Sequence, residues 1–130
     1  MAKFALDAIM DAALNEVVNN ADQVVVCNGQ PATYADATTD SGSGGNALGE
    51  AAIGAGDFTL ADGDTSGRKY DYGGTTGIDV DVSATADNVA FIDDTNSRLL
   101  VVTTISNSQS VTAGNTMDVQ AFDHEIQDPS

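Results

Sequence analysis

The sequence predicts a mainly β domain: a small β-sandwich or partly closed barrel of about seven strands, with an N-terminal amphipathic helix and a long Gly/Ala/Ser-rich loop. Three observations carry this expectation. The apolar residues are chiefly Ala and Val, Trp is absent, and only four Phe and three Tyr are present, so the core must be built largely from small and β-branched side chains that suit pleated surfaces. From Phe58 onward apolar residues alternate with polar ones between regularly spaced turn residues, the pattern of half-buried strands. A clear helical period occurs once, at the start of the chain. The 130 residues correspond to a single domain, 1–130, with a folded surface of about 6,400 Å². It divides into a helix over 4–19, an extended contact loop over 28–56 and a β-rich body over 57–127.

The helix is read from Leu6, Ile9, Met10, Ala13, Leu14, Val17 and Val18, which recur at helical spacing while Asp7, Asp11, Asn15 and Asn19 take the opposite side. "NNAD" at 19–22 should end it, because Asn and Asp compete for backbone hydrogen bonds and tolerate a left-handed cap. A helix this short is marginal alone, so its stripe must find a partner surface on the domain or on a neighbouring chain. "QVVVC" at 23–27 reads as a buried strand. Composition then shifts to Gly, Ala, Ser, Thr and Asp for about thirty residues, a length that marks a functional or disordered loop. Thr33 is placed to cap a turn "YADA" and Asn46 to cap "ALGEA", whereas "TTDSGSGG" has nothing to bury. The segment is expected to act as a contact arm that orders on assembly.

Beyond it, Phe58 and Leu60 form a strand that turns through "ADGDTSG" into "RKYDY", making a hairpin in which Arg68, Tyr70 and Tyr72 share a face. Ile78, Val80 and Val82 alternate with Asp79, Asp81 and Ser83, a strand with a solvated acidic face. "NVAFI" and "RLLVVTTI" flank the turn "DDTNS" as a second hairpin. Its apolar run at 99–102 has no polar alternate and is expected mid-sheet, covered on both sides. In the last strand Met117, Val119 and Ala121 are apolar on odd positions but Phe122 and Ile126 on even ones. The inward phase therefore flips near Ala121, through a bulge or a strand crossing between two sheets. His124 shares the inward parity, and Asp123 and Glu125 point the other way.

Charge bounds the function. Twenty Asp and Glu oppose four Lys and Arg, for a net charge of −16, which repels phosphate backbones and anionic lipid alike and argues against nucleic-acid and membrane partners. Asp7 and Asp11 interrupt the apolar N-terminus and no run approaches membrane-spanning length, so neither a secretory leader nor a membrane span is predicted. The single cysteine, Cys27, lies in an apolar run and reads as a buried, inert thiol.

The chemical motifs are weak. A nucleophilic triad would need His124, the sole histidine, and no G-x-S-x-G elbow accompanies it; the simpler reading is a half-buried histidine hydrogen-bonded at a strand end. Zinc fails on ligand count, and no cofactor is implied. "GSGGNALG" lacks the preceding strand and lysine of a phosphate cradle. The strongest chemical alternative is calcium: Asp62, Asp64 and Ser66 alternate before Gly67 as in the first half of a calcium loop, but Gly73 stands where the closing Glu belongs. Asp93 and Asp94 could complete such a shell, giving a calcium-dependent adhesion or tail module.

"SGRKYDY" at 66–72, "ADNVAFIDDTNSRLLVVTTI" at 86–105, "VTAGNTMDVQAFDHEIQDP" at 111–129 and "VVVCNGQPATYADA" after the helix resemble a family of small tailed-bacteriophage proteins encoded in the head gene cluster. The chain departs from that pattern over residues 38–50 and at Phe122 and His124. The resemblance implies no enzyme but a virion structural protein, a capsid decoration or cement protein on the outer capsid surface. Its partner would be the major capsid protein and, in a homo-oligomer, further copies of itself. A strongly acidic protein belongs outside the shell, away from packaged phosphate. Contacts are then expected from the helix and loop, with Phe4 and Tyr34 as their aromatic members, and from Arg68, Lys69 and Arg98 as scarce cations able to meet acidic partner groups.

Overall fold

A computed structural model describes residues 5–129; Phe4 lies outside them. The fold is mainly β, as expected, and the described residues form nine strands in three antiparallel sheets with no closed barrel among them. Helix α1 spans Asp7–Asn20 and leads into β1, Gln23–Cys27; a short helix α2, Tyr34–Thr38, precedes β2, Ala47–Ala52. There follow β3, Phe58–Asp62; β4, Arg68–Tyr72; β5, Thr75–Asp79; β6, Ala84–Asp93; β7, Arg98–Val111; β8, Thr116–Val119; and β9, Phe122–Ile126. The sheets have the orders β2-β1-β6-β7, β3-β4-β9 and β5-β8.

The phase flip near Ala121 is a strand crossing between two sheets. Tyr72 pairs with Phe122 in the three-stranded sheet and Thr75 with Val119 in the two-stranded ribbon. Two bent strands thus run side by side and turn the same corner, at Gly73–Gly74 and at Gln120–Ala121. Gly74 has φ +86° at that corner, a conformation that favours glycine.

Between the sheets lies the main core. Its aromatic centre is Phe91, with the Phe58, Tyr72 and Phe122 rings at centroid distances of 5.2, 5.0 and 5.5 Å. Leu14 and Val18 of α1, Val24 and Val26 of β1, and Leu48, Ile78 and Val89 complete it. The opposite face of the four-stranded sheet carries a smaller cluster of Val25, Cys27, Ala37, Ala47, Ala90 and Ile92.

Several expectations are corrected. The buried stripe of α1 is Met10, Leu14 and Val18, with Val17 half-buried, whereas Leu6 and Ile9 stand 59% and 65% exposed. Met10 of the same turn is buried, so at its start the helix presents Leu6 and Ile9 to solvent from one side only. It ends in extended backbone at Ala21, not a left-handed cap. The 28–56 segment is no extended loop: Pro31 and Ala37 are buried against the sheet, and "ALGEA", expected as a capped turn, is the edge strand β2 paired with β1. Small residues there pack the backbone close, as at Gly49, where a Cβ would lie 2.2 Å from the Asp79 carbonyl oxygen. Finally, the apolar run at 99–102 is not mid-sheet. It lies on β7, at the sheet's edge and half-exposed, and the covered central strands are β1 and β6.

Candidate interaction surface

The three described cations are all engaged within the molecule. Arg68 bonds Asp11 of α1 through Nε at 2.8 Å and Asp62 through a terminal nitrogen at 2.7 Å, tying the helix to the end of β4. Lys69, on the outer face of the three-stranded sheet, meets Asp64, Asp71 and Asp123 at 2.7, 3.4 and 3.2 Å. Its hydrogen bonds to Asp64 and Asp123 hold its ammonium well above the ordinary lysine range. Arg98 joins Glu16 and Asp93, each at 2.9 Å. These residues therefore brace the monomer rather than stand ready for acidic groups elsewhere. Tyr34 is half-buried against the smaller core cluster, its hydroxyl donating to Asp94.

The 62–67 turn is organised around an anion. Glu125 of β9 accepts the Asp64 backbone N–H at 2.9 Å and that of Thr65 at 3.4 Å, and these bonds hold its carboxyl below the usual range. Asp62 and Asp64 are each in an ion pair, and Ser66 Oγ accepts the Asp128 N–H at 3.1 Å. Among the described residues no three His, Cys, Asp or Glu side chains converge as metal ligands.

His124 faces inward from β9, opposite Tyr70 of β4. The Tyr70 hydroxyl and His124 Nδ1 are hydrogen-bonded, and the rings meet edge to face at 5.2 Å. Burial pushes the imidazole below its ordinary pKa, with Asp123 opposing, and pushes the Tyr70 phenol up. Asp123 and Glu125 lie on the other face with Lys69 and the turn. The three neighbours in "DHE" therefore serve two faces and form no common site. Cys27 is fully buried, and burial with Asp87 nearby pushes its thiol up to about 12, an inert form.

Two acidic residues organise the β6–β7 turn in roles the sequence did not assign them: Asp22, read only as part of the helix stop, and Asp93, considered only as a calcium ligand. Asp22, just after α1, accepts the N–H groups of Asp94 and Thr95 at 2.7 and 3.1 Å and the Thr95 hydroxyl at 2.9 Å. Asp93, 1% exposed, accepts from the Asn96 amide at 2.9 Å and from Arg98 at 2.9 Å; the Asn96 bond leads in holding its carboxyl low. An Asp bordering a turn is the local signal for such roles, but the partner of Asp22 lies seventy-two residues away.

A cleft of about 740 Å³ opens between the distal half of β7 and the β8–β9 strand. Its walls combine Ile105, Val111, Met117 and Phe122 with hydroxyl and amide groups, and its sole titratable residue is Asp118, which accepts the Gly77 N–H at 2.9 Å. Such a lining offers shape and neutral hydrogen bonding, without a base–nucleophile pair. From Leu99 to Met117 the chain carries no Asp, Glu, Lys or Arg, so this flank is a neutral strip on an acidic body. No known family model, curated protein or solved structure matches the chain.

Proposed function

We propose that this chain is a virion structural protein of a tailed bacteriophage: a decoration or cement protein that binds the outer capsid surface and stabilises contacts between major capsid protein subunits. The observation that carries this reading is the use of the polar groups. Every described cation is spent inside the monomer, His124 is half-buried against the aromatic core with its Nδ1 bonded to Tyr70, and the cleft beside β7 is lined by a single carboxylate, already committed. What is left for a partner is surface. The resemblance of residues 66–72, 86–105 and 111–129 to phage head-cluster proteins supplies the setting, and the net charge of −16 favours the side of the shell away from packaged DNA.

Attachment relies on apolar contact more than on charge. Leu6 and Ile9, exposed at the start of α1, suit insertion into an apolar groove of the capsid. Spanning two subunits, such contacts raise the cost of separating them and so oppose internal pressure. A calcium-dependent adhesion module is the weaker reading, because Asp62 and Asp64 are already paired with Arg68 and Lys69.

The test is reconstitution. Purified protein mixed with capsids lacking it should add ordered density to their outer surface, and Leu6→Asp with Ile9→Asp should abolish that density while leaving the melting temperature unchanged. Absence of binding at low and high salt alike would sink the reading.

A further inference from the structure

The edge strand β7 has the sequence of a strand that belongs inside a sheet. Leu99, Leu100, Val101 and Val102 are consecutive apolar residues, the signature of a strand covered on both faces and flanked on both sides. In the monomer they have β6 on one side only, and all four are half-exposed, with Leu100 and Val101 against the main core and Leu99 and Val102 against the smaller one. Free edges are normally guarded by charged side chains or proline. This one has neither between Leu99 and Met117. The opposite edge, β2, is better protected: the Asp81 N–H reaches the Leu48 carbonyl at 2.8 Å, and Glu50 stands exposed.

We infer that β7 is a self-association edge, at which a second copy of this chain pairs antiparallel through Leu99–Thr104 about a twofold axis normal to the sheet, doubling the four-stranded sheet. Charge selects the occupant. Two bodies of −16 each repel across most of their surfaces, and the neutral strip is where they can approach without burying like charges. A cationic partner, by contrast, would be drawn to the acidic faces. Self-pairing is also complementary in chemistry, because a twofold axis normal to the sheet keeps each face on its own side. The half-exposed Leu100 and Val101 then meet their equivalents above the sheet, and Leu99 and Val102 theirs below. Register shifts on either side of the Val101–Thr104 ladder limit the seam to a few residues, so the dimer is a weak one, fitted to a protein concentrated on a surface. The inference stands apart from the identity of whatever the protein adheres to.

Sedimentation velocity over a concentration series tests it, together with amide hydrogen exchange at both ends of the series. The expected result is a monomer–dimer equilibrium strengthened by salt, which screens self-repulsion, with added protection at high concentration confined to 99–104. Thr104, exposed in the monomer although its hydroxyl donates to Asn88 Oδ1 at 3.4 Å, gives the variants: Thr104→Asp should weaken the dimer by about tenfold or more, whereas Thr104→Val, which loses the same hydrogen bond without adding charge, should leave dimerisation intact. The same charge at the distant, exposed Ser43, as Ser43→Asp, should leave the dimer unaffected. A monomer up to about 1 mM at high salt, protection of β7 only in the presence of capsids, or an oligomer in which 99–104 stays unprotected would each overturn it.

Discussion

Replacing Phe91 by alanine should remove a large part of the domain's stability. Phe91 is 1% exposed and sits between the sheets, edge to face with Phe58 and Tyr72 and stacked on Phe122 with ring planes 15° apart. A buried phenylalanine removes roughly 150–250 Å² from water, worth about 4–6 kcal/mol at ~25 cal/mol per Å². The alanine keeps the Cβ share of that area, and Phe122, which borders the open cleft, is the neighbour best placed to relax into the void. The expected loss is therefore about 3–5 kcal/mol, the usual span for this substitution in a core. For 130 residues a total of about 7–20 kcal/mol is typical, so the variant should still fold but unfold at much lower urea. With no tryptophan present, Tyr70 and Tyr72 report the transition by fluorescence, backed by circular dichroism. The slope against urea should stay constant, so that the change lies in the midpoint. Phe91→Leu, which refills most of the volume, should cost about 1–2 kcal/mol. A loss under about 1.5 kcal/mol for the alanine variant would mean that the aromatic cluster is not the centre of the core.

His124 has its folded pKa lowered from 6.5 by burial, so below that value the unfolded chain takes up a proton that the folded one resists; stability is full above pH 6.5 and declines as pH falls. As the sole histidine, it should account for the decline above the carboxylate range, and His124→Gln should flatten the urea midpoint there; an equal slope in the variant would disprove the assignment. Ser97 holds φ 55° in the β6–β7 turn, so Ser97→Gly should stabilise by about 0.5–1 kcal/mol, read as a higher melting temperature. Gly49→Ala, by contrast, drives a Cβ into the Asp79 carbonyl and should cost about 1–3 kcal/mol by urea unfolding. Adding calcium, or a chelator, should leave the melting curve in place, because the candidate ligands Asp62 and Asp64 are already paired with Arg68 and Lys69; a marked calcium-dependent rise would restore the metal reading.

Local pattern determined much of this protein. Alternation and turn residues fixed the β6–β7 and β3–β4 hairpins, the odd-to-even switch at Ala121 located the corner between sheets, and the parity of "DHE" separated His124 from its acidic neighbours. These are properties of adjacent residues, and side-chain direction along a strand follows from the backbone alone. Tertiary structure decided what depends on distant partners. "ALGEA" became a strand because β1 offered it an edge, overriding its weak local preference. Arg68 and Lys69 became internal braces because Asp11 and Asp123, far away in sequence, lie within reach. The run 99–102 announced an interior strand, and only the order of strands, set by long-range pairing, put it at the rim, since one strand's pattern records which faces are covered but not how many neighbours the finished sheet supplies.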